Sequence, residues 1–338
     1  MKRHGNLFKD IVSMSNIFNA HKNAKKGKSH YKEVKMVDSD VYKHCQSIQD
    51  LLVFKEFTTS PYITETIFDR TKERVIHKLP YYPDRIVHHS IVQVCSPIWI
   101  KSLIRDTFQS IPNRGTSDAR DRVKKGIIKH NPTHALKIDI KKFYPNIDNF
   151  ILKKVIRHNI KCKNTLWLID NIINSTKGIP IGNYTSQFFG NLYLRKFDWW
   201  VKQELLVKCY YRYCDDMIIL DTKDRIQEIK DSIFSYIESI NLTVKSNWQI
   251  YNIEKEGIDF CGYVFYPNYI KLRPSIAKRL KRKIYIIEKS HKNLTKEKII
   301  NGLMSYWGWI KYCNGKALWK SLISNKIKRI FKNYNQKL

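Results

Sequence analysis

The chain of 338 residues carries 62 Lys and Arg against 30 Asp and Glu, a formal charge of +32, and 43% of its residues are hydrophobic. That apolar share supports a packed core and excludes global disorder, while so large an excess of one sign repels itself in a compact fold and asks for a polyanionic partner, nucleic acid before any other. No apolar run reaches the ~18 residues of a membrane span, the stretch Met1–Asp10 lacks an apolar leader core, and the seven cysteines stand singly with no CxxC pair; this argues against a zinc knuckle and predicts reduced thiols in a cytoplasmic protein without membrane contact.

Residues 1–50 read as a basic helical extension, with the run from His21 to Lys28 as an exposed arm or loop. Between 51 and 80 the composition turns β-rich, as in Arg74-Val75-Ile76-His77-Lys78-Leu79, and Pro80-Tyr81-Tyr82-Pro83-Asp84 signals a turn. A helix then fits Arg85 to Leu103, with Ile86, Val87, Ile91, Val94 and Ile98 near one face. A loop holding Pro112 and Gly115 leads to a helix through Ala119 to His130. Ala135–Ile140 reads as a buried strand, and Lys141 to Pro145 as the turn after it. Helices are expected around 148–158 and 165–175, a turn at Gly178–Gly182, and one long helix from Thr185 to Leu206. Tyr210–Leu220 is two short strands around a tight turn, 224–240 an amphipathic helix, and 257–273 a hairpin around Pro267-Asn268. The last ~65 residues are helical, basic and aromatic. This order predicts an α+β fold with an antiparallel sheet.

The chemistry concentrates at Tyr213-Cys214-Asp215-Asp216. Two Asp in a turn commonly do no more than cap it. Here both flanking arms are apolar enough to be buried, and carboxylates beside buried strands need cations or donors. A third, Asp139, ends the strand Leu136-Lys137-Ile138-Asp139-Ile140. Strand ends offering Asp can converge in one sheet, and three clustered carboxylates repel each other unless a divalent metal holds them. Oxygen ligands alone select Mg²⁺, and two such ions ~3.5–4 Å apart suit phosphoryl transfer.

Around these residues a family pattern emerges. Asp139 with Phe143-Tyr144, then Gly178-Ile179-Pro180-Ile181-Gly182-Asn183-Tyr184-Thr185-Ser186-Gln187, then Tyr213-Cys214-Asp215-Asp216, then Phe260-Cys261-Gly262-Tyr263 resemble, in order, the palm motifs of reverse transcriptases. Upstream, Lys72-Glu73-Arg74-Val75-Ile76, Asp84 to His89 and Asn113-Arg114-Gly115-Thr116 resemble the fingers motifs. The likeness covers roughly 50–270. It implies a right-hand polymerase: a basic N-terminal helical extension over 1–50, fingers over 51–134 with a part from 150–177, an antiparallel-sheet palm over 135–273, and a helical thumb over 274–338.

The resemblance also implies roles. Asp139, Asp215 and Asp216 are the catalytic residues and hold two Mg²⁺ ions, for which Mn²⁺ substitutes, with Ile140 offering its carbonyl. Lys72, Arg74 and Arg114 grip the incoming triphosphate, Tyr144 packs under the sugar and excludes a 2′-hydroxyl, and Gly182 and Gln187 complete the dNTP site. Tyr213, Ser186, Cys261 and Gly262 contact primer or template. Lys245 is a proton donor to pyrophosphate. Tyr306-Trp307-Gly308-Trp309-Ile310-Lys311-Tyr312 belongs to the thumb, its tryptophans chiefly as packing. The expected partners are template RNA, primer, cDNA product and dNTPs.

Within the family, group II intron and retron enzymes have Gln before the Gly and end this motif in Ser-Pro. The aliphatic Ile181 before Gly182, and Gln187 after Ser186, look instead like the bacterial reverse transcriptases of diversity-generating retroelements, which make cDNA with frequent errors. The alternative is a bacterial antiviral-defence reverse transcriptase that uses a non-coding RNA or makes repetitive DNA. Either implies a further partner, a small accessory protein or a structured non-coding RNA.

Overall fold

The computed structural model of the protein describes residues 3–69, 72–290, 294–325 and 327–329. The N-terminal region is helical, as its composition predicts: α1 Phe8–Ile11, α2 Met14–Ala24, α3 Lys32–Ser39 and α4 Val41–Val53. Ser13 caps α2 by accepting from Asn16 N, and Asp40 caps α4 by accepting from Lys43 N, each satisfying an amide that the first turn leaves open. The expected exposed arm at His21–Lys28 is corrected at its start. His21 and Ala24 lie inside α2 and are buried, and His21 pairs with Asp38 and Tyr81.

A two-stranded hairpin follows, β1 Ile63–Asp69 with β2 Lys72–Lys78, then a turn at Tyr81–Arg85 and the long α5 Ile86–Ser102. The anticipated apolar face of α5 is only partly right. Ile86, Val87 and Ile91 are buried, but so are His88, His89, Ser90, Cys95 and Trp99, while Val94 and Ile98 are half-buried. Helices packed on several sides of α5 explain this, since such a helix has no single wet face.

The central sheet has five strands in the order β3-β5-β6-β4-β7: β3 Thr107–Phe108, β4 His134–Asp139, β5 Cys209–Tyr213, β6 Asp216–Asp221 and β7 Gln249–Asn252. It is antiparallel apart from one parallel pair, β3 with β5, which the sequence did not announce. Strand alternation divides its two faces. Leu136 and Ile138 of β4, Tyr210 of β5, and Met217 and Ile219 of β6 enter one core with the N-terminal helices. Ala135, Cys209, Tyr211, Ile218 and Leu220 enter a second core with α6 Thr116–His130 and a smaller sheet. That smaller sheet contains β8 Ile258–Phe260, β9 Tyr263–Phe265 and β10 Ile270–Leu272, so the expected single hairpin is in fact two in succession.

Between β4 and β5 run α7 Phe143–Asn146, α8 Asn149–Arg157, α9 Lys163–Asn174, α10 Ser186–Tyr193 and α11 Arg195–Gln203. The long helix anticipated over Thr185–Leu206 is interrupted at Leu194. Helix α12 Lys223–Ser239 backs the sheet, and α13 Ile253–Glu256 is a single turn. The C-terminal α14 Pro274–Ser290, α15 Lys296–Ile310 and α16 Lys316–Leu322 form a third core around Leu280, Leu303 and Trp319. No helix among the described residues is long and apolar enough to cross a membrane.

Candidate active site

The register of the central sheet brings the carboxylates together. Asp139, last in β4, lies opposite Asp216, first in β6, and Asp216 lies opposite Tyr213 of β5. Cys214-Asp215 is therefore a two-residue hairpin turn, with Cys214 at φ +59°. Side-chain alternation puts Lys137, Asp139 and Asp216 on the face that meets the small sheet. Lys137 Nζ donates to Asp259 O at 2.6 Å, and Arg273 Nε donates to Asp259 Oδ1 at 2.5 Å, so β8 is tied to β4 beside Asp216.

The electrostatics fit a site short of cations. Burial, then the charge of Asp139, raises the Asp215 carboxyl. Burial pushes Asp216 up to about 6 although Lys137 pulls the other way. Asp139 Oδ1 and Asp216 Oδ1 are both buried without a hydrogen-bond partner. The second oxygen of Asp139 meets Lys245 Nζ at 2.6 Å, while Lys245 N donates to Asp139 O at 2.8 Å.

Tyr144 sits in α7 with its hydroxyl 3.3 Å from Cys214 Sγ, so its ring adjoins the Asp-bearing turn. Burial holds the Cys214 thiol up at about 12 and raises the Tyr144 phenol as well, leaving both neutral. The Tyr144 carbonyl accepts from Ile179 N, and further along that loop Ile181 O accepts from His77 N of β2. The β1–β2 hairpin and Tyr144 are thus joined through Gly178–Gly182. Gly182 has φ +132°, and a Cβ there would stand 2.3 Å from His77 O. The close approach that requires glycine is to β2. Gly182→Ala is expected to lower stability by about 2–3 kcal/mol, read as an earlier midpoint in urea; an unchanged midpoint would show that the loop relaxes freely.

A reverse transcriptase (RNA-dependent DNA polymerase) family model matches residues 64–265, more than half of the chain. The chain belongs to the reverse transcriptase family. Its fold is that of the family, α+β with a right-hand polymerase arrangement. Among solved structures it is similar to the telomerase of Candida albicans in complex with a TWJ fragment of telomeric RNA, at 12% identity and a TM-score of 0.49, over 69% of this chain and 52% of that one. It is also similar to apo telomerase of Candida tropicalis, at 13% identity and a TM-score of 0.49, over 73% and 61%. The chain spans about half to three-fifths of those telomerase chains. No curated protein matches it in sequence.

The family uses divalent metal ions, and the donor set suits them: acceptor oxygens only, two of them buried and unsatisfied. Among the described residues no group of three or more His, Cys, Asp or Glu is already gathered into a cage. Lys245 supplies the countercharge to Asp139 instead. Ile140 follows Asp139, is fully buried and bridges to Val244.

The remaining expected residues divide. Cys261 and Gly262 form the β8–β9 turn, and Cys261 lies within the field of Asp216. Gly262 has φ +85° and packs on Trp309, where a Cβ would come within 2.4 Å of the ring. Arg74 lies on the exposed β2, and Gln187 is exposed in the first turn of α10. Lys72 opens β2, but its side chain lies outside the described residues. Arg114 and Ser186 make contacts within the chain. Arg114 turns back, donating from Nη1 to Ile104 O at 2.9 Å, and the charges around it are Arg105, Asp118 and Asp106. Ser186 is buried and its hydroxyl donates to Pro180 O at 2.8 Å, which closes the loop before α10.

Sequence reasoning missed Arg212, Asn191 and Asp198, all buried behind the Asp-bearing turn. The available signal was a guanidinium inside an otherwise apolar strand, which must find a partner indoors.

Proposed function

We propose that this chain is an RNA-directed DNA polymerase that extends a primer on a template RNA, and that it serves a bacterial diversity-generating retroelement, copying with frequent errors. The observation that carries the polymerase reading is the pairing of Asp139 with Asp216 across β4 and β6, each with an unsatisfied buried oxygen, beside Asp215 on the turn. The departure at Ile181-Gly182 and Ser186-Gln187 carries the subtype. In this reading the N-terminal extension covers 1–50, the fingers 51–134 with 150–177, the palm 135–273 and the thumb 274–338.

Asp139, Asp215 and Asp216, with the Ile140 carbonyl, would hold two Mg²⁺ ions, or Mn²⁺ in their place. When bound, these supply activation of the primer hydroxyl and charge neutralisation on the leaving pyrophosphate. Tyr144 bounds the sugar pocket and, pinned to Cys214, leaves no room for a 2′-hydroxyl. Arg74 and Lys72, on the hairpin linked to Tyr144 through Gly182, grip the triphosphate as a cationic clamp, and Gln187 faces the nascent base pair. Cys261-Gly262, braced by Trp309, and Tyr213 steady the primer end. Lys245, which pairs with Asp139 beside the site, would give a proton to pyrophosphate. A small accessory protein or a structured non-coding RNA completes the assembly, and the excess of +32 favours a partner that brings phosphates.

The test is primer extension by the purified protein on a defined RNA template with Mg²⁺ and dNTPs, followed by sequencing of the cDNA. Extension with errors concentrated opposite template adenines is expected. Accurate copying would overturn the diversification role, repetitive untemplated product would favour the defence role, and no extension under any divalent ion would overturn the polymerase itself.

A further inference from the structure

Arg212 and Asp198 are both fully buried, one on β5 and the other on α11, and they form a two-pronged ion pair. Arg212 Nε donates to Asp198 Oδ1 at 2.8 Å and Nη2 to Oδ2 at 2.5 Å. Tyr210 Oη donates to Asp198 Oδ1 at 2.7 Å, and Thr107 Oγ1 to Oδ2 at 3.2 Å. The guanidinium is also gripped from α10, where Nη1 donates to Asn191 Oδ1 at 3.1 Å and Nη2 to Asn191 O at 3.4 Å. Asn191 and Asp198 stand seven residues apart on the two helices and converge on this one side chain. Helices α10 and α11 thus hold it directly, and Thr107 of β3 holds Asp198 in turn.

Such a pair is seldom retained for stability alone, because apolar side chains of similar volume commonly do as well. What an apolar replacement would not provide is the remaining contact. Arg212 Nη1 donates to the carbonyl oxygen of Cys214 at 2.9 Å. Cys214 is the residue at φ +59°, a conformation that disfavours an L-residue, and its carbonyl belongs to the peptide that leads into Asp215. A charge-assisted bond into that carbonyl selects one orientation of the peptide plane. The same turn carries the Cys214 thiol that meets Tyr144.

We propose that Arg212, held by Asp198 and Asn191, is a positioning residue that sets the Cys214–Asp215 peptide and thereby the geometry in which Asp215 and Asp216 receive metal. The inference rests on the polymerase reading above. It differs from a core-packing role in one respect: it requires the bond to Cys214 O, not merely the burial of the pair.

Two variants separate these roles. Arg212→Lys keeps the charge opposite Asp198 but has no planar fork to reach Asn191 and Cys214 together. Arg212→Met with Asp198→Leu removes the pair without stranding a charge. Mn²⁺ binding to the nucleotide-free protein is followed by electron paramagnetic resonance, beside thermal melting and steady-state extension. Both variants should bind Mn²⁺ about 10-fold more weakly and lose on the order of 10²-fold in kcat, with KM for dNTP within about 3-fold, while melting cooperatively. Wild-type Mn²⁺ affinity and kcat in a folded Arg212→Lys protein would overturn the proposal, and that variant decides the matter if the paired one does not fold. A wild-type protein that binds no Mn²⁺ and extends no primer would overturn the underlying polymerase reading instead.

Discussion

Asp216→Asn is expected to abolish DNA synthesis while making the metal-free protein more stable. The loss should be about 10³-fold or more, because the variant removes a charged oxygen facing Asp139 at the proposed metal site. The gain in stability follows from the Asp216 carboxyl being pushed up to about 6 by burial, from an ordinary value of 3.8. A carboxyl raised on folding contributes stability that is full when it is protonated, below its unfolded value, and lost as pH rises through its folded value. At neutral pH the ionised side chain therefore opposes folding, by at most about 3 kcal/mol, since each tenfold change in a protonation equilibrium corresponds to ~1.4 kcal/mol. Melting in a chelator at pH 7.5 should place the Asn variant several degrees above wild type. The gap should narrow as pH falls through about 6 toward 4, and also when Mg²⁺ is restored, since only wild type gains fully from the ion. A wild-type protein that is the more stable at pH 7.5 without metal would show that Asp216 is well solvated and not poised for a cation.

If Tyr144 bounds the sugar pocket as proposed, Tyr144→Ala should let the enzyme accept ribonucleotides that the wild type rejects. The ring adjoins Cys214 through its hydroxyl and lies against Phe143, with ring centres 5.3 Å apart, so its place is fixed by both the turn and the core. On the proposed role, removing it would open the space that a ribose 2′-hydroxyl needs. Single-nucleotide extension with dNTP and rNTP should show discrimination falling on the order of 10²-fold, or about 2.7 kcal/mol, with dNTP insertion itself reduced far less. Tyr144→Phe separates shape from hydrogen bonding, because it keeps the ring and loses only the contact to Cys214. It should discriminate as wild type does. Unchanged discrimination in the Ala variant would remove Tyr144 from the sugar pocket.

Much of the frame was legible locally. Ala135–Ile140 and Tyr210–Leu220 announced themselves by apolar β-prone runs ending at Asp, and the structure has β4, β5 and β6 there. Segment 224–240 had its helical period and is α12, at Lys223–Ser239. Shorter elements escaped. β3 has two residues and β7 has four, too few to establish an alternation, and each exists because a neighbouring strand offers an edge. The break at Leu194 escaped because the apolar pattern runs through it.

For the candidate site the division is sharper. The carboxylates, the aromatic after Asp139 and the order of the motifs are properties of the chain itself, because each depends on residue type and short spacing. Which atoms meet is not such a property. Arg114 bends toward Ile104, Ser186 closes its own loop, and Gly182 is glycine because of His77, more than 100 residues earlier. Arg212 reads in sequence as one more cation in a basic protein, and only folding buries it against Asp198 and under Cys214. The sequence by itself determined the family, the α+β order and the three Asp around which the chemistry is argued. The tertiary structure decided the register that sets Asp139 against Asp216 and the buried guanidinium behind their turn, since a hydrogen bond between distant segments is specified by packing and not by the local pattern of either one.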